Sequence, residues 1–343
     1  LHHYFCQNIH LSELPFDINR IFSISDAEMF ERTALELFHW QREHNPVYAT
    51  YLRHLGKPVS KIQALDEIPF LPIEVFKSHE VRSGNAPVEK IFTSSGTSGS
   101  TTSRHFVADV SLYEQSYFKA FELFYGHSTP LEDWCILALL PGYLERSGSS
   151  LIEMVDGMIR MSSDADSGFF LNEFEQLSSL LAQKRKDGRK VLLIGVTFAL
   201  LDFAERYRID FPELIVMETG GMKGRRKELT REEVHALLKP AFGVQTIHSE
   251  YGMTELLSQA YSRGEGRFAC PPWMKILLRE TDDPFKMTPP GRTGAINVID
   301  LANVHSCAFL ATSDLGRMHV DGTFEVLGRF DHSDVRGCNL MVQ

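Results

Sequence analysis

The chain has 343 residues, 43% of them hydrophobic, and a formal net charge of −10. That is enough apolar chain for a large core spread over roughly two or three packed subdomains. The acidic balance argues against nucleic acid as the main partner, and no apolar run is long enough to span a bilayer, so no transmembrane segment is expected.

The opening LHHYFCQNIH lacks the basic-then-apolar order of a signal peptide. The cysteines (Cys6, Cys135, Cys270, Cys307 and Cys338) are scattered without zinc spacing, which favours a reduced, cytoplasmic protein over a disulfide scaffold. Residues 1–89 read as a helical region packed on the core. Ser25-Asp26-Ala27-Glu28 is a capping box, and Phe30, Ala34, Leu37 and Phe38 then share one helix face. Asn45-Pro46 interrupts that helix, and a second one runs to Leu55 and stops at Gly56. Prolines keep residues 68–72 extended.

Residues 90–263 alternate between apolar strands and helices, the pattern of a parallel α/β sheet. Strands are expected at 91–93, 134–140, 190–194, 214–217 and 244–247. Helices are expected from Ser111 to near Gly126, at about 151–159, at 174–185 and 197–207, and after the box Thr230-Arg231-Glu232-Glu233. Ligands of such sheets sit beyond the carboxyl ends of the strands. Three polar segments follow expected strands: 93–103, Thr219-Gly220-Gly221 and 248–255. The first, TSSGTSGSTTS, is almost wholly glycine and small hydroxyl residues. By itself it reads as a flexible linker. Its position after a strand turns it into a loop whose N–H and O–H groups can cradle phosphates. From 264 to 330 short strands (274–278, 295–299, 308–311 and 323–326) alternate with Pro, Gly and Asp, a β-rich subdomain, and 331–343 forms a tail.

These residues carry a resemblance. TSSGTSGSTTS resembles the phosphate loop of adenylate-forming enzymes, Tyr251-Gly252-Met253-Thr254-Glu255 their YGxTE motif, Thr312-Ser313-Asp314-Leu315-Gly316 their TxD(x)G motif, and Gly328-Arg329-Phe330-Asp331 their hinge. Within that superfamily the end of the chain, Asp334-Val335-Arg336-Gly337-Cys338-Asn339-Leu340, resembles the LuxE-type acyl-protein synthetases. These end early and carry an acyl group on a cysteine near the C-terminus.

The resemblance implies an α/β fold, the large domain of an adenylate-forming enzyme with α/β and β-rich subdomains, and no C-terminal small domain. It implies ATP and Mg²⁺, a carboxylic or fatty acid substrate, and an acyl reductase as partner protein. Thr93, Ser94, Ser95, Gly96, Thr97, Ser98 and Gly99 would hold phosphates. Tyr251, Gly252, Gly220 and Gly221 would border adenine, and Asp314 would take the ribose hydroxyls. Thr254 would meet the α-phosphate, Glu255 would ligate Mg²⁺, Arg329 would reach ribose or phosphate, and Cys338 would accept the acyl group. Each has a plainer alternative: a helix cap for Thr254, a helix-start or surface glutamate for Glu255, core packing for Tyr251, a turn for Asp314, and a surface ion pair for Arg329. Asp331 matches the hinge residue, and Lys77 and Lys223 are the lysines to watch because the usual catalytic one is missing. His248 is open between a pocket lining and a satisfied structural histidine. An acyl-CoA ligase and a non-catalytic nucleotide- or acyl-binding protein are the competing readings.

Overall fold

Asp26, rather than Ser25, starts the first helix. Its carboxylate accepts the Met29 N–H at 2.8 Å and opens α1 (Ala27–His44), while the Ser25 hydroxyl is spent on Asp26 itself. Asn45 ends α1 and caps α2 (Pro46–Leu55) by accepting the Tyr48 N–H at 2.9 Å. Pro46 takes the first helical position, where its missing N–H costs nothing. The computed structural model to which these elements belong describes residues 14–56, 58–94, 102–126, 129–140, 148–220, 229–289 and 291–330.

A short strand β1 (Leu71–Pro72) leads into a 3-10 turn, Ile73–Lys77. Strands β2 (Lys90–Thr93) and β3 (Arg104–Val107) pair antiparallel as a separate hairpin. The hydroxyl-rich segment is therefore a hairpin connection and not a crossover from a parallel strand to a helix. Helix α3 (Val110–Tyr125) is capped by Asp109, two residues earlier than Ser111 would place the cap, because the Asp109 carboxylate accepts the Ser111 N–H at 2.9 Å.

The following elements alternate: β4 (Trp134–Leu139), α4 (Ser150–Met161), β5 (Gly168–Phe170), α5 (Phe174–Lys186), β6 (Lys190–Val196), α6 (Thr197–Arg206), β7 (Ile215–Thr219), α7 (Arg231–Phe242) and β8 (His248–Tyr251). The chain then turns to strands: β9 (Ala260–Ser262), β10 (Arg267–Ala269), β11 (Met274–Arg279), β12 (Thr293–Asp300), β13 (Phe309–Met318) and β14 (Phe324–Arg329).

Twelve strands join into one sheet in the order β11-β12-β13-β14-β10-β9-β8-β7-β6-β4-β5, with β1 parallel beside β13. From β5 to β8 the pairing is parallel; from β8 to β11 it is antiparallel. Every residue of β4 is buried, as expected of a parallel strand covered on both faces. The change of texture near residue 264 falls in the connection between β9 and β10, two paired strands.

Two strands differ from expectation in ways that move the site. Val244 and Ile247 are buried, but they pack as an apolar connection. The ladder begins at His248, opposite Met217, so Tyr251 ends a strand instead of following one. The strand expected at 308–311 runs on to Met318, so Thr312–Gly316 lies inside β13 and Asp314 is not a turn residue. Strands β5, β9 and β10 have three residues each, too few for a readable alternation.

The buried Gln41 ties α1 to the connection between β12 and β13. Its amide donates to the carbonyls of Asn303 at 2.9 Å and Val304 at 3.0 Å, and its oxygen accepts the Ala308 N–H at 2.9 Å. Gln41→Ala strands these buried groups and should lower the free energy of unfolding by about 3 kcal/mol in urea titrations. A change within experimental error would mean that the connection repacks without Gln41.

Candidate active site

Asp314 sits where β13 bulges. Ala295 pairs with Leu315 and Asn297 with Ala311, so Ile296 alone faces Thr312, Ser313 and Asp314. Extra residues of this kind re-aim side chains. Arg279, buried and with no carboxylate bonded to it among the described residues, holds the bulge. Its guanidinium donates to the Ile296 carbonyl at 2.8 Å, to Asn297 Oδ1 at 2.7 Å and to the Thr312 carbonyl at 2.7 Å. The Thr312 hydroxyl donates to the Ile296 carbonyl at 2.9 Å and accepts the Asp314 N–H at 3.1 Å.

The Asp314 carboxylate is buried between two donors: Tyr251 Oη at 2.8 Å on one oxygen and Arg329 Nε at 3.2 Å on the other. An ionised carboxylate has about four acceptor sites, so each oxygen keeps capacity for a further donor. The Arg329 side chain remains 81% exposed. Tyr251 meets Phe268 and Phe324 at steep angles; its packing in the core and its bond to Asp314 hold together.

Beyond Tyr251 the chain turns. Thr254 and Glu255 lie in that turn and not at a helix start. His105 of β3 donates from Nδ1 to the Thr254 carbonyl at 2.9 Å, and the Asn303 amide donates to the Glu255 carbonyl at 2.9 Å. Just after it, buried Asp300 accepts the Leu257 and Ser258 N–H groups at 2.7 and 3.0 Å. The turn is thus pinned on both sides.

Glu255 is buried. Burial raises its pKa, and the Ser103 hydroxyl, its own N–H, and the charges of Arg329 and Lys77 pull it back without cancelling the rise. Lys77 is thereby brought to the site by the 3-10 turn, whose Phe76 packs edge-on against His105. Lys223 and Asp331 lie outside the described residues.

At the base of the hydroxyl-rich segment the Ser94 N–H donates to the Ser103 carbonyl at 3.1 Å, and Ser94 Oγ accepts the Ser103 N–H at 2.9 Å. Thr93 N–H donates to the Gly148 carbonyl at 2.7 Å. Ser95, Gly96, Thr97, Ser98, Gly99, Gly221 and Cys338 lie outside the described residues. Gly220 follows β7 with φ +62, a conformation that favours glycine, and its carbonyl accepts the Thr197 hydroxyl at 2.8 Å. Gly252 leaves room for a neighbour: a Cβ there would stand 2.3 Å from Glu250 Oε1.

Sequence reasoning missed the support. Glu218 of β7 is buried. Burial works to raise its pKa, but His235, Arg231 and Ser249 outweigh that and leave it lowered. The neighbouring Glu250 is pushed up to about 7, by burial first, against the Thr219 hydroxyl and with help from the Glu218 charge. Ser103 is the last residue of the hydroxyl-rich segment, whereas His105, Arg279, Asp300 and Asn303 carry no motif, and only the position of His105 beside that segment hinted at it. His248 proves to be a satisfied structural histidine, bonded at Nδ1 to Tyr125 Oη at 3.1 Å.

Among the described residues no group of three or more His, Cys, Asp or Glu forms a metal cage. Mg²⁺ takes one or two carboxylates and otherwise water and substrate phosphates. A buried carboxyl with a raised pKa is also a group that a bound cation stabilises. Glu255 fits this role.

A mixed sheet with a buried acidic bulge beside a YGxTE turn defines the class: an adenylate-forming ligase fold. The structure is similar to ATP-bound MatB from Rhodopseudomonas palustris, with a TM-score of 0.53 and 17% identity over 72% of this chain and 49% of that one. It is also similar to 2-hydroxyisobutyryl-CoA ligase in complex with 2-HIB-AMP and CoA, with a TM-score of 0.66 and 13% identity over 96% of this chain and 73% of that one. The chain spans about half the length of MatB. The acyl-protein synthetase LuxE family model matches residues 8–343, and the chain belongs to that family. No curated protein matches it.

His105 generates a prediction. Burial pushes its pKa down from 6.5 to about 4, against the Thr254 bond. The unfolded chain therefore takes up this proton before the folded one does. Stability is full above about 6.5 and falls as the pH drops toward 4. For one such group the loss between pH 7 and pH 5 is about 2 kcal/mol. His248 is lowered to about 4 in the same way. His105→Asn keeps a donor for Thr254 and should remove about 2 kcal/mol of the acid-induced loss in urea titrations at the two pH values; an unchanged loss would contradict the burial of a neutral His105.

Proposed function

We propose that this chain uses ATP to convert a carboxylic acid of the fatty class into an acyl-adenylate and passes the acyl group to the thiol of Cys338, for delivery to an acyl reductase in the cytoplasm. In the first step a carboxylate oxygen attacks the α-phosphorus and pyrophosphate leaves. In the second a thiolate attacks the acyl carbon and AMP leaves. The observation that carries this reading is the Asp314 carboxylate, held between Tyr251 and Arg329 with acceptor capacity left for a ribose, on a chain whose family is that of acyl-protein synthetases.

In this reading Thr254 faces the α-phosphate, and the pinned turn keeps it in place as charge moves to the leaving group. Thr93 and Ser94, with Ser95, Gly96, Thr97, Ser98 and Gly99, hold the outer phosphates; Gly220, Gly221 and Gly252 border adenine. Mg²⁺, when bound beside Glu255, neutralises phosphate charge. No helix among the described residues is long and apolar enough to cross a membrane.

The cysteines support an acceptor in a terminal segment. Burial pushes the thiols of Cys135, Cys270 and Cys307 up to about 12, so at neutral pH the thiolate fraction of each is on the order of one in 10⁵. Cys6 and Cys338 lie outside the described residues, and the family resemblance favours the second. A second reading, with coenzyme A as the thiol, is favoured by the likeness to a ligase solved with CoA.

Glu255→Gln keeps shape and removes the charge. ATP–pyrophosphate exchange should fall about 100-fold with an unchanged circular dichroism spectrum; exchange near the wild-type rate would remove Glu255 from the metal site.

Cys338→Ser should split the half-reactions. Exchange persists, while hydroxylamine-labile labelling of the protein by radioactive fatty acid disappears, because a neutral hydroxyl is a far poorer nucleophile than a thiolate. Label at the wild-type level would move the acceptor to Cys6 or elsewhere, and an unlabelled wild type that makes acyl-CoA would establish the second reading.

A further inference from the structure

The two faces of β8 serve different neighbours. Ser249 and Tyr251 point to Glu218 and Asp314. His248 and Glu250 lie on the other face, where His248 meets Tyr125 of α3 and Glu250 accepts the Thr219 hydroxyl. Glu250 stands directly opposite Tyr261 in the β8–β9 ladder. The space where a Gly252 side chain would stand is bordered by Glu250 Oε1 at 2.3 Å and by Gln259 Cγ at 3.3 Å from the position of a Cβ. Glu250, Gln259 and Tyr261 thus share one patch of this face.

The patch is short of hydrogen-bond partners. Tyr261 is 2% exposed and Gln259 3% exposed, yet Tyr261 Oη and Gln259 Oε1 have no hydrogen-bond partner among the described residues. The Glu250 carboxyl receives only the Thr219 hydroxyl among those residues, and burial pushes it up to about 7. Buried polar groups are nearly always paired, and leaving one unpaired is costly. Gln259 Oε1 and the Glu250 carboxyl are thus acceptors with capacity for a donor, beside a Tyr261 hydroxyl that can both donate and accept.

We infer that this face of β8 recognises a hydrogen-bond donor, a hydroxyl or an amino group, on the acyl part of the substrate, so that the acid activated is a substituted one and not a plain alkyl chain. The inference rests on the adenylation reading for calling its ligand an acyl group. Gly252 is two residues from Thr254, at most about 7 Å of chain. The donor therefore lies within a few carbons of the reacting carboxylate. A neutral hydroxyl can accept from Tyr261 and donate to Gln259 or Glu250; an amine, as a cation with three N–H donors, draws Glu250 into its ionised form. The two share the donor chemistry.

The test is calorimetric binding to the full chain in the presence of AMP, which needs no turnover. The probes are octanoate, its monohydroxy derivatives and its monoamino derivatives. At least one donor-bearing acid should bind about tenfold or more tightly than octanoate, and the arm in which it falls identifies hydroxyl or amine. Tyr261→Phe removes only an unpartnered hydroxyl, so the melting temperature should not fall, while the preference for the donor-bearing acid should shrink toward parity. A buried water would satisfy the same atoms in every complex and give no preference. Octanoate binding as tightly as every derivative, or an undiminished preference in Tyr261→Phe, would overturn the inference. Selective binding without any pyrophosphate exchange would uphold it and overturn the adenylation reading instead.

Discussion

Asp314 is a buried carboxyl group, and the site is arranged around the donors that hold it. A charge removed from water needs donors fixed in place before it is tolerated. Tyr251 comes from the strand that joins the parallel and antiparallel parts of the sheet, and Arg329 from the last strand described. The bulge that presents the carboxylate is itself held by Arg279 through backbone carbonyls. One acidic side chain therefore requires agreement among β8, β11, β12, β13 and β14.

The same principle separates the other acids by environment. Glu218 has Arg231, His235 and Ser249 around it and stays below the ordinary range, while Glu250 one strand away is pushed up to about 7. Glu255 has cations near enough to moderate burial but none bonded to it among the described residues. Carboxyls of one chemical kind thus shift in opposite directions, Glu218 down and Glu250 and Glu255 up, according to the donors and charges around each.

Much of this was legible beforehand. Long periodic segments gave α1, α5, α6 and β4 nearly to their ends, and the box at Thr230 and Glu233 gave the start of α7. The motif residues Tyr251, Asp314 and Arg329 do meet. What escaped was local chemistry set by distant partners. Asp26 and Asp109 outcompete neighbouring serines for helix starts because a carboxylate accepts more strongly than a hydroxyl. Strands of three residues have too few positions to show a period. His105, Arg279, Asp300 and Asn303 serve the site from places with no spacing signature, since their roles exist only once β3, β11 and β12 are packed. The placement of Asp314 inside a strand was hidden because Thr-Ser-Asp reads as a turn until the ladder on either side is seen.

The Gln41 contacts have a consequence for synthesis. The helix that supplies them emerges early, whereas Asn303 and Val304 follow 262 and 263 residues later. Asn303 in turn holds the Glu255 turn. Contacts so remote in sequence carry a heavy loop-closure penalty and form late. A nascent chain on the ribosome must therefore hold the apolar face of α1 without these neighbours while the 262 residues up to Asn303 are made. The Glu255 turn gains its Asn303 bond only after that residue has been made, so a polypeptide interrupted before it would leave the Glu255 carbonyl without this donor.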